Sequence, residues 1–284
     1  MKAPSFAYAR PQSLGEALAL LAEHREAARV LAGGQSLLAS LNMRLSSPEV
    51  LVDIGGLKEL SGIRVQHNVL RIGALTRHRE IERSAEVARH VPLLAQAVPH
   101  VAHAAIRNAG TLGGSLALAD PAAEYPACAL ALGATMVIVG PAAERRVPAG
   151  EFFRGLYSTA MEPNELLVAA EFPLSQPAYR SAFLELARRH GDYAIVGVAA
   201  HARIESTRLS DVRLAFLGVG EKALRAPSAE SVLEGKPYGP AAVAAAQAAL
   251  AKDLAPLPDL YHSAAAKLHL ARVLTGRALS ALML

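Results

Sequence analysis

The chain of 284 residues predicts an α+β fold in three units, and three observations carry that expectation. Over the first 175 residues, short apolar runs with strand-like composition alternate with amphipathic helical runs. After Pro177 the pattern changes to long strand-like runs followed by two helices. Hydrophobic residues make up 52% of the chain, enough to supply more than one core. The expected units are residues 1–56, 57–175 and 176–284.

In the first unit, residues 13–28 read as an amphipathic helix, with Ser13 before it and Glu16 at the third position as a capping box. Arg29-Val30-Leu31-Ala32 reads as a short buried strand packed against it, and Val50 to Ile54 as another, ending at Gly55-Gly56. Between them Ser36 to Leu45 has helical apolar spacing, with Ser36 placed as N-cap. In the second unit, Val65 to Gly73 reads as a strand, and Arg77 to Ser84 and Pro92 to Val101 as helices. Met136 to Val139 is a strand stopped by Gly140-Pro141, and Leu166 to Phe172 is the last strand before Pro173. In the third, Tyr193 to Ile204 and Asp211 to Leu217 form an antiparallel hairpin through residues 205–210. Helices follow around 240–251 and 259–282, the latter with Tyr261, Ala265, Leu268, Ala271 and Leu282 on one face.

Two Gly-Gly turns stand out: Ala32-Gly33-Gly34-Gln35-Ser36 and Thr111-Leu112-Gly113-Gly114-Ser115. Each opens onto a helix-compatible run, so backbone N–H groups at both are placed to converge on one anion, such as a dinucleotide pyrophosphate. Glycine lets a phosphate approach the main chain closely, and a helix start adds partial positive charge. The familiar nucleotide motifs are absent: there is no Gly-x-x-x-x-Gly-Lys-Ser/Thr, and Gly218-Val219-Gly220 lacks the third glycine of a dinucleotide fingerprint. An ATPase and a Rossmann dehydrogenase are therefore disfavoured.

Composition excludes more. The formal charge of +4 is scattered, the densest basic runs being Arg145-Arg146 and Arg188-Arg189-His190, so no stripe for nucleic acid exists. The single cysteine, Cys128, rules out an internal disulfide and any iron–sulfur cluster held by this chain's thiolates alone. Its apolar surroundings point to a buried, inert thiol. His100 and His103 are the nearest approach to metal-ligand spacing and lack supporting carboxylates. No apolar run reaches the length of a membrane helix, and Met1-Lys2-Ala3-Pro4 has no signal-peptide core; a soluble, cytoplasmic protein is expected.

The run Leu31 to Leu45, the phrase Pro48-Glu49-Val50-Leu51-Val52-Asp53-Ile54, and Arg107 to Ser115 followed by Ala119-Asp120-Pro121-Ala122-Ala123-Glu124 resemble the FAD-binding medium subunits of molybdenum hydroxylases. The likeness extends along essentially the whole chain and is strongest to the carbon monoxide dehydrogenase and bacterial xanthine dehydrogenase types. It implies a two-lobed PCMH-type FAD-binding domain, with FAD between the lobes, and a smaller C-terminal α+β domain. Ala32, Gly33, Gly34, Gln35 and Ser36, with Thr111, Gly113, Gly114 and Ser115, would grip the pyrophosphate. Glu124 would accept the ribose hydroxyls, with Asp120 as competitor. Tyr193, in Arg188-Arg189-His190-Gly191-Asp192-Tyr193, would stack on the flavin while Asp192 orders the turn, and Leu167 would give an apolar contact.

Relatives can carry a lysine a few residues before that segment, whereas Phe183-Leu184-Glu185-Leu186 has none, which argues against nicotinamide binding. By the same resemblance, 2Fe–2S clusters sit on a small partner and the molybdenum cofactor on a large one that selects the substrate. The assembly would be a dimer of heterotrimers, and this chain would pass electrons onward, needing no acid–base triad of its own. Two other readings stay open on the sequence: a self-sufficient flavin oxidoreductase with its own substrate, and a binding or assembly protein in which both glycine turns are structural.

Overall fold

The computed structural model describes residues 2–284; Met1, the first residue of the expected N-terminal unit, lies outside the described residues. The first unit folds as β1 (Ala7–Ala9), α1 (Leu14–His24), β2 (Ala28–Leu31), α2 (Leu37–Asn42) and β3 (Val50–Asp53). Its three strands are parallel, in the order β1-β3-β2. Helix α1 is shorter than 13–28: it ends at His24, and a 3₁₀ turn over Arg25–Ala27 leads into the strand. Ser13 Oγ accepts the Glu16 N–H at 3.2 Å, while Glu16 reaches back to the N–H of Gln12 rather than of Ser13.

The second unit is built on an antiparallel sheet of β4 (Ile63–Gln66), β5 (Val69–Gly73), β6 (Thr135–Val139), β7 (Glu144–Pro148) and β10 (Leu166–Pro173), in the order β4-β5-β10-β6-β7. The single strand expected over Val65 to Gly73 is a hairpin, because His67 and Asn68 turn the chain with φ of 46° and 63°. Short helices α3 (His78–Glu82), α4 (Ala85–His90), α5 (Pro92–Ala97), α6 (Ala104–Arg107), α7 (Leu112–Leu118), α8 (Glu124–Leu132) and α9 (Ala149–Phe152) fill the chain between β5 and β10, with β8 (Phe153–Gly155) and β9 (Ser158–Thr159) as a small ribbon. The helix expected over Pro92 to Val101 stops at Ala97 and continues as a 3₁₀ turn over Val98–His100.

The central strands of the sheet, β6 and β10, are buried on both faces. Leu166, Val168, Ala169 and Val137 pack with Leu21, Val52 and Leu60 in one core, whereas Leu167, Ala170, Phe172 and Ile138 face the helices in another. A register shift between Leu167 and Ala169 re-phases β10.

The remaining residues form a four-stranded antiparallel sheet, β11 (Tyr179–Ala187), β12 (Ala194–Glu205), β13 (Arg208–Leu217) and β14 (Leu224–Arg225), backed by α10 (Pro227–Leu233), α11 (Pro240–Asp253) and α12 (Ala264–Ala281). Strand β11 and helix α10 have no counterpart in the sequence reading. Helix α12 begins at Ala264, not 259, with Ser263 as its cap, so Tyr261 precedes it and is exposed; its buried face is Lys267, Ala271, Leu274, Thr275, Ala278 and Leu279. Of the expected stripe, Ala271 and Leu282 are buried, Leu268 packs at the edge of the core and Ala265 is exposed. No helix among the described residues is long and apolar enough to cross a membrane.

Candidate functional site

The end of β2 delivers Ala32–Ser36 against the chain that enters α7. A Cβ on Gly33 would lie 2.4 Å from the Ala109 carbonyl oxygen and 2.8 Å from Gly110 Cα, so only glycine lets the first turn meet the stretch leading into the second. Gly34 takes the left-handed conformation, φ 72°. The N–H groups of Gly33, Gly34, Gln35 and Ser36 have no protein acceptor among the described residues. Gln35 folds back instead, its Nε2 donating to the Gly33 carbonyl at 2.9 Å. Ser36 has helical backbone angles and makes no side-chain cap, contrary to expectation, which leaves its hydroxyl free.

The second turn is built differently. Leu112 N–H donates to the Thr76 carbonyl at 3.0 Å and Gly113 N–H to that of Ala74 at 2.8 Å. Gly114 N–H donates to Thr111 Oγ1 at 3.1 Å, and Ser115 N–H to the Thr111 carbonyl. The convergence of amides expected from both turns therefore reduces to the first; residues 112–115 spend theirs on anchoring α7 to the segment after β5. What the second turn offers is the half-buried Ser115 hydroxyl and an exposed surface without side chains at Gly114, where an added Cβ would meet only Thr111 Oγ1, at 3.0 Å. Gly113 is instead a packing glycine, its Cβ position 2.5 Å from Ala74 Cβ. Gly110 makes room for His78, whose Nε2 would sit 2.6 Å from a Cβ there.

Beyond α7 the two competing acids separate. Asp120 Oδ1 accepts the Ala122 N–H at 2.9 Å and its Oδ2 accepts the Tyr157 hydroxyl at 3.4 Å, so Asp120 shapes the turn. Glu124 opens α8, 8% exposed, with only its own amide as partner. Burial, seconded by the Asp120 charge, raises its carboxyl to about 7. Tyr193 follows Gly191, whose φ of 80° and close approach to the Ala102 carbonyl exclude a side chain. Asp192 Oδ1 accepts the Tyr193 N–H at 3.0 Å, and the Tyr193 ring is 72% exposed. Burial, seconded by the charges of Asp120, Glu124 and Asp192, pushes its hydroxyl above the usual tyrosine range. Leu167 lies within β10 at 4% exposure, packed in the helix-side core.

Sequence reasoning missed four groups here. Tyr157, with φ of 51°, reaches Asp120. His78 and Tyr125 pack ring to ring, centroids 5.3 Å apart, and both His78 Nδ1 and the Tyr125 hydroxyl are buried without a partner. Burial lowers His78 to about 4, so its ring is neutral. Glu185 Oε2 is the third such atom, and desolvation with the Glu124 charge raises its carboxyl to about 8. The only signal for Glu185 in the sequence was the lysine missing from its stretch.

The family model "FAD binding domain in molybdopterin dehydrogenase" matches residues 4–175, and "CO dehydrogenase flavoprotein C-terminal domain" matches residues 181–282. The chain is 39% identical to the 6-hydroxypseudooxynicotine dehydrogenase complex subunit alpha of Paenarthrobacter nicotinovorans, over 99% of this chain and 95% of that one. It is 38% identical to the carbon monoxide dehydrogenase medium chain of Hydrogenophaga pseudoflava, over 98% and 97%. A crystal structure of quinoline 2-oxidoreductase from Pseudomonas putida 86 superposes with a TM-score of 0.94 at 41% identity, covering 100% of both chains. The chain belongs to the FAD-binding medium subunits of the molybdenum hydroxylases, and FAD is its cofactor. The residues present fit that group: a turn with unclaimed amides, two glycines that keep side chains out of the junction, and a buried carboxylate free to accept hydroxyls.

Proposed function

We propose that this chain carries electrons within a molybdenum hydroxylase. It would receive them from 2Fe–2S clusters on a small partner and pass them to an external acceptor, while a large partner holding the molybdenum cofactor oxidises the substrate. One observation carries the assignment to this chain of the flavin alone: the unclaimed amides of 33–36 lie where Gly33 packs against Ala109 and Gly110, on the stretch that leads into the second glycine turn. With one cysteine, buried, the chain has no thiolate set for a cluster, so clusters belong to another subunit. We further propose a dimer of heterotrimers in the cytoplasm, as the resemblance implies.

Within the site, the amides of Gly33 to Ser36 would hold the pyrophosphate, with the Ser36 and Ser115 hydroxyls beside it and Thr111 fixing the turn through its cap. Ala32 and Gly114 would keep the approach open, while Gly113 seats α7 against Ala74 and so holds the second turn in place beside the cofactor. Glu124 would accept the ribose hydroxyls, Tyr193 would cover a face of the ring system, and Leu167 would back it from the core. Bound FAD supplies the redox chemistry, taking electrons singly or in pairs. The protein's part is to bind, orient and shield. The test is the visible spectrum of the chain purified with its co-expressed neighbours, with mass identification of cofactors and subunits. FAD with cluster-bearing and molybdenum-bearing partners is the expected result; a solitary flavoprotein that turns over its own substrate, or a colourless chain, would overturn it.

A further inference from the structure

Tyr261 stands in the link between α11 and α12, 70% exposed and outside all three cores, yet its backbone is firmly held. Asp259 Oδ1 accepts the N–H groups of Tyr261 at 2.8 Å and of His262 at 2.9 Å. Asp259 Oδ2 lies 2.9 Å from Nζ of Lys267, on the buried face of α12. The link is thereby tied to the helix, and the Tyr261 ring meets Arg188 instead of the core: the guanidinium carbon stands over the ring, 4.8 Å from its centroid. Arg188 begins the turn that carries Tyr193. Its Nε pairs with Asp192 Oδ2 at 3.7 Å, and Asp192 Oδ1 accepts the Tyr193 N–H at 3.0 Å. The Asp192 N–H closes the turn on the Arg189 carbonyl at 3.1 Å. Elsewhere in the turn, Gly191 rests against the Ala102 carbonyl, and His190 stands edge-on to His100 with centroids 6.1 Å apart. None of residues 188–193 is buried, so these contacts, not a core, set where the turn lies.

We propose that Tyr261 is a positioning residue for FAD: its ring seats Arg188, Arg188 steadies Asp192, and Asp192 fixes the backbone from which Tyr193 covers the ring system. This rests on the reading of Tyr193 given above. The contacts form one chain from α12 through the Asp259 link to the residue on the flavin. Tyr193 is itself 72% exposed and draws little from packing, so the place of its backbone decides where its ring goes. A turn already fixed in place has less freedom to lose when the cofactor arrives. Tyr261 meets Arg188 with its ring face, so the aromatic ring is required and the hydroxyl is not.

The test is the rate at which FAD leaves the full chain, purified with its co-expressed partners and then diluted, followed by the rise of flavin fluorescence. Four proteins are compared: the wild type, Tyr261→Leu, Tyr193→Leu and the double variant. Tyr193→Leu should speed release by about tenfold, the worth of a lost aromatic stack. Tyr261→Leu should speed it by about 2- to 5-fold, the worth of an exposed cation–π contact. The double variant should release FAD no faster than Tyr193→Leu alone, because Tyr261 acts only through Tyr193. Tyr261→Phe keeps the ring face and should behave as the wild type, whereas Arg188→Met breaks the same contact from the other side and should speed release at least as much as Tyr261→Leu. Unchanged release in Tyr261→Leu, or effects that multiply in the double variant, would overturn the proposal while leaving Tyr193 on the flavin. Unchanged release in Tyr193→Leu would overturn that reading of Tyr193 and the proposal with it. Hydrogen exchange of the full chain without FAD gives a second measurement. The amides of Asp192 and Tyr193 should exchange about 2- to 5-fold faster in Tyr261→Leu than in the wild type; equal rates would overturn the proposal.

Discussion

Gly33, Gly113 and Gly114 read alike in the sequence, yet the space around them assigns three different jobs. At Gly113 a methyl group would press on Ala74 Cβ at 2.5 Å, so Gly113→Ala should lower stability by about 1–3 kcal/mol, seen as a lower denaturant midpoint. At Gly114 the nearest atom is its own cap at 3.0 Å, so Gly114→Ala should leave the midpoint almost unchanged and weaken FAD binding instead. Gly33→Val pushes against backbone rather than a movable side chain, and should both lower the denaturant midpoint and abolish FAD retention. Glu124→Gln should weaken FAD by about 10- to 100-fold, the usual loss when a charged acceptor of hydroxyl donors becomes neutral. The glycines and Glu124 were visible in the sequence as residue types at a spacing. Their separate duties were not, because these depend on which strand end or side chain comes to face them: Ala109, Ala74 or Thr111.

Strand β11 shows why some elements escape a periodicity reading. Phe183 enters the helix-side core while Ala182 and Leu184 enter the core under α10 to α12, so both faces are apolar and no alternation marks the strand. The β12–β13 hairpin was legible because two long runs rich in apolar residues flank a short polar link, although the link is tighter than 205–210 and β13 already starts at Arg208. At this scale Arg107 has the largest reach. Its guanidinium donates to the carbonyls of Pro99, Val101 and Ala102 and to Glu82, fixing the turn on which Gly191 rests. Arg107→Met should cost on the order of 3 kcal/mol. Hydrogen exchange should show faster opening both at 99–103 and at 188–193, the segment that carries Tyr193.

At the scale of the molecule, the two matched family segments share a core: Phe183, Ala199, Ala215 and Leu217 of the last sheet pack with α8 and the second unit. Gln96 bonds the backbone of Ser181 and Phe183, and Lys222 Nζ donates to the Phe153 carbonyl at 2.7 Å. Residues 181–284 expressed alone should therefore fail to give a cooperative calorimetric transition. The buried ionisable groups also set a pH profile. Glu124 and Glu185 are raised from 4.5 to about 7 and about 8, so the folded chain binds more protons than the unfolded one there and stability is lost as pH rises through those values. His78 and His201 are lowered from 6.5 to about 4, so stability is lost as pH falls below 6.5. Between 4.5 and 6.5 the two pairs offset, and the apo chain should show a plateau of melting temperature there, declining towards pH 8.

The meeting of Gly33 with Ala109 joins stretches that leave the ribosome far apart in time. The first turn must wait, its amides bound to water, until the second unit has closed against it, and only then does a place for a dinucleotide exist. Cofactor loading thereby follows the joining of the first two units, and a chain that holds flavin reports that these two units have closed on each other.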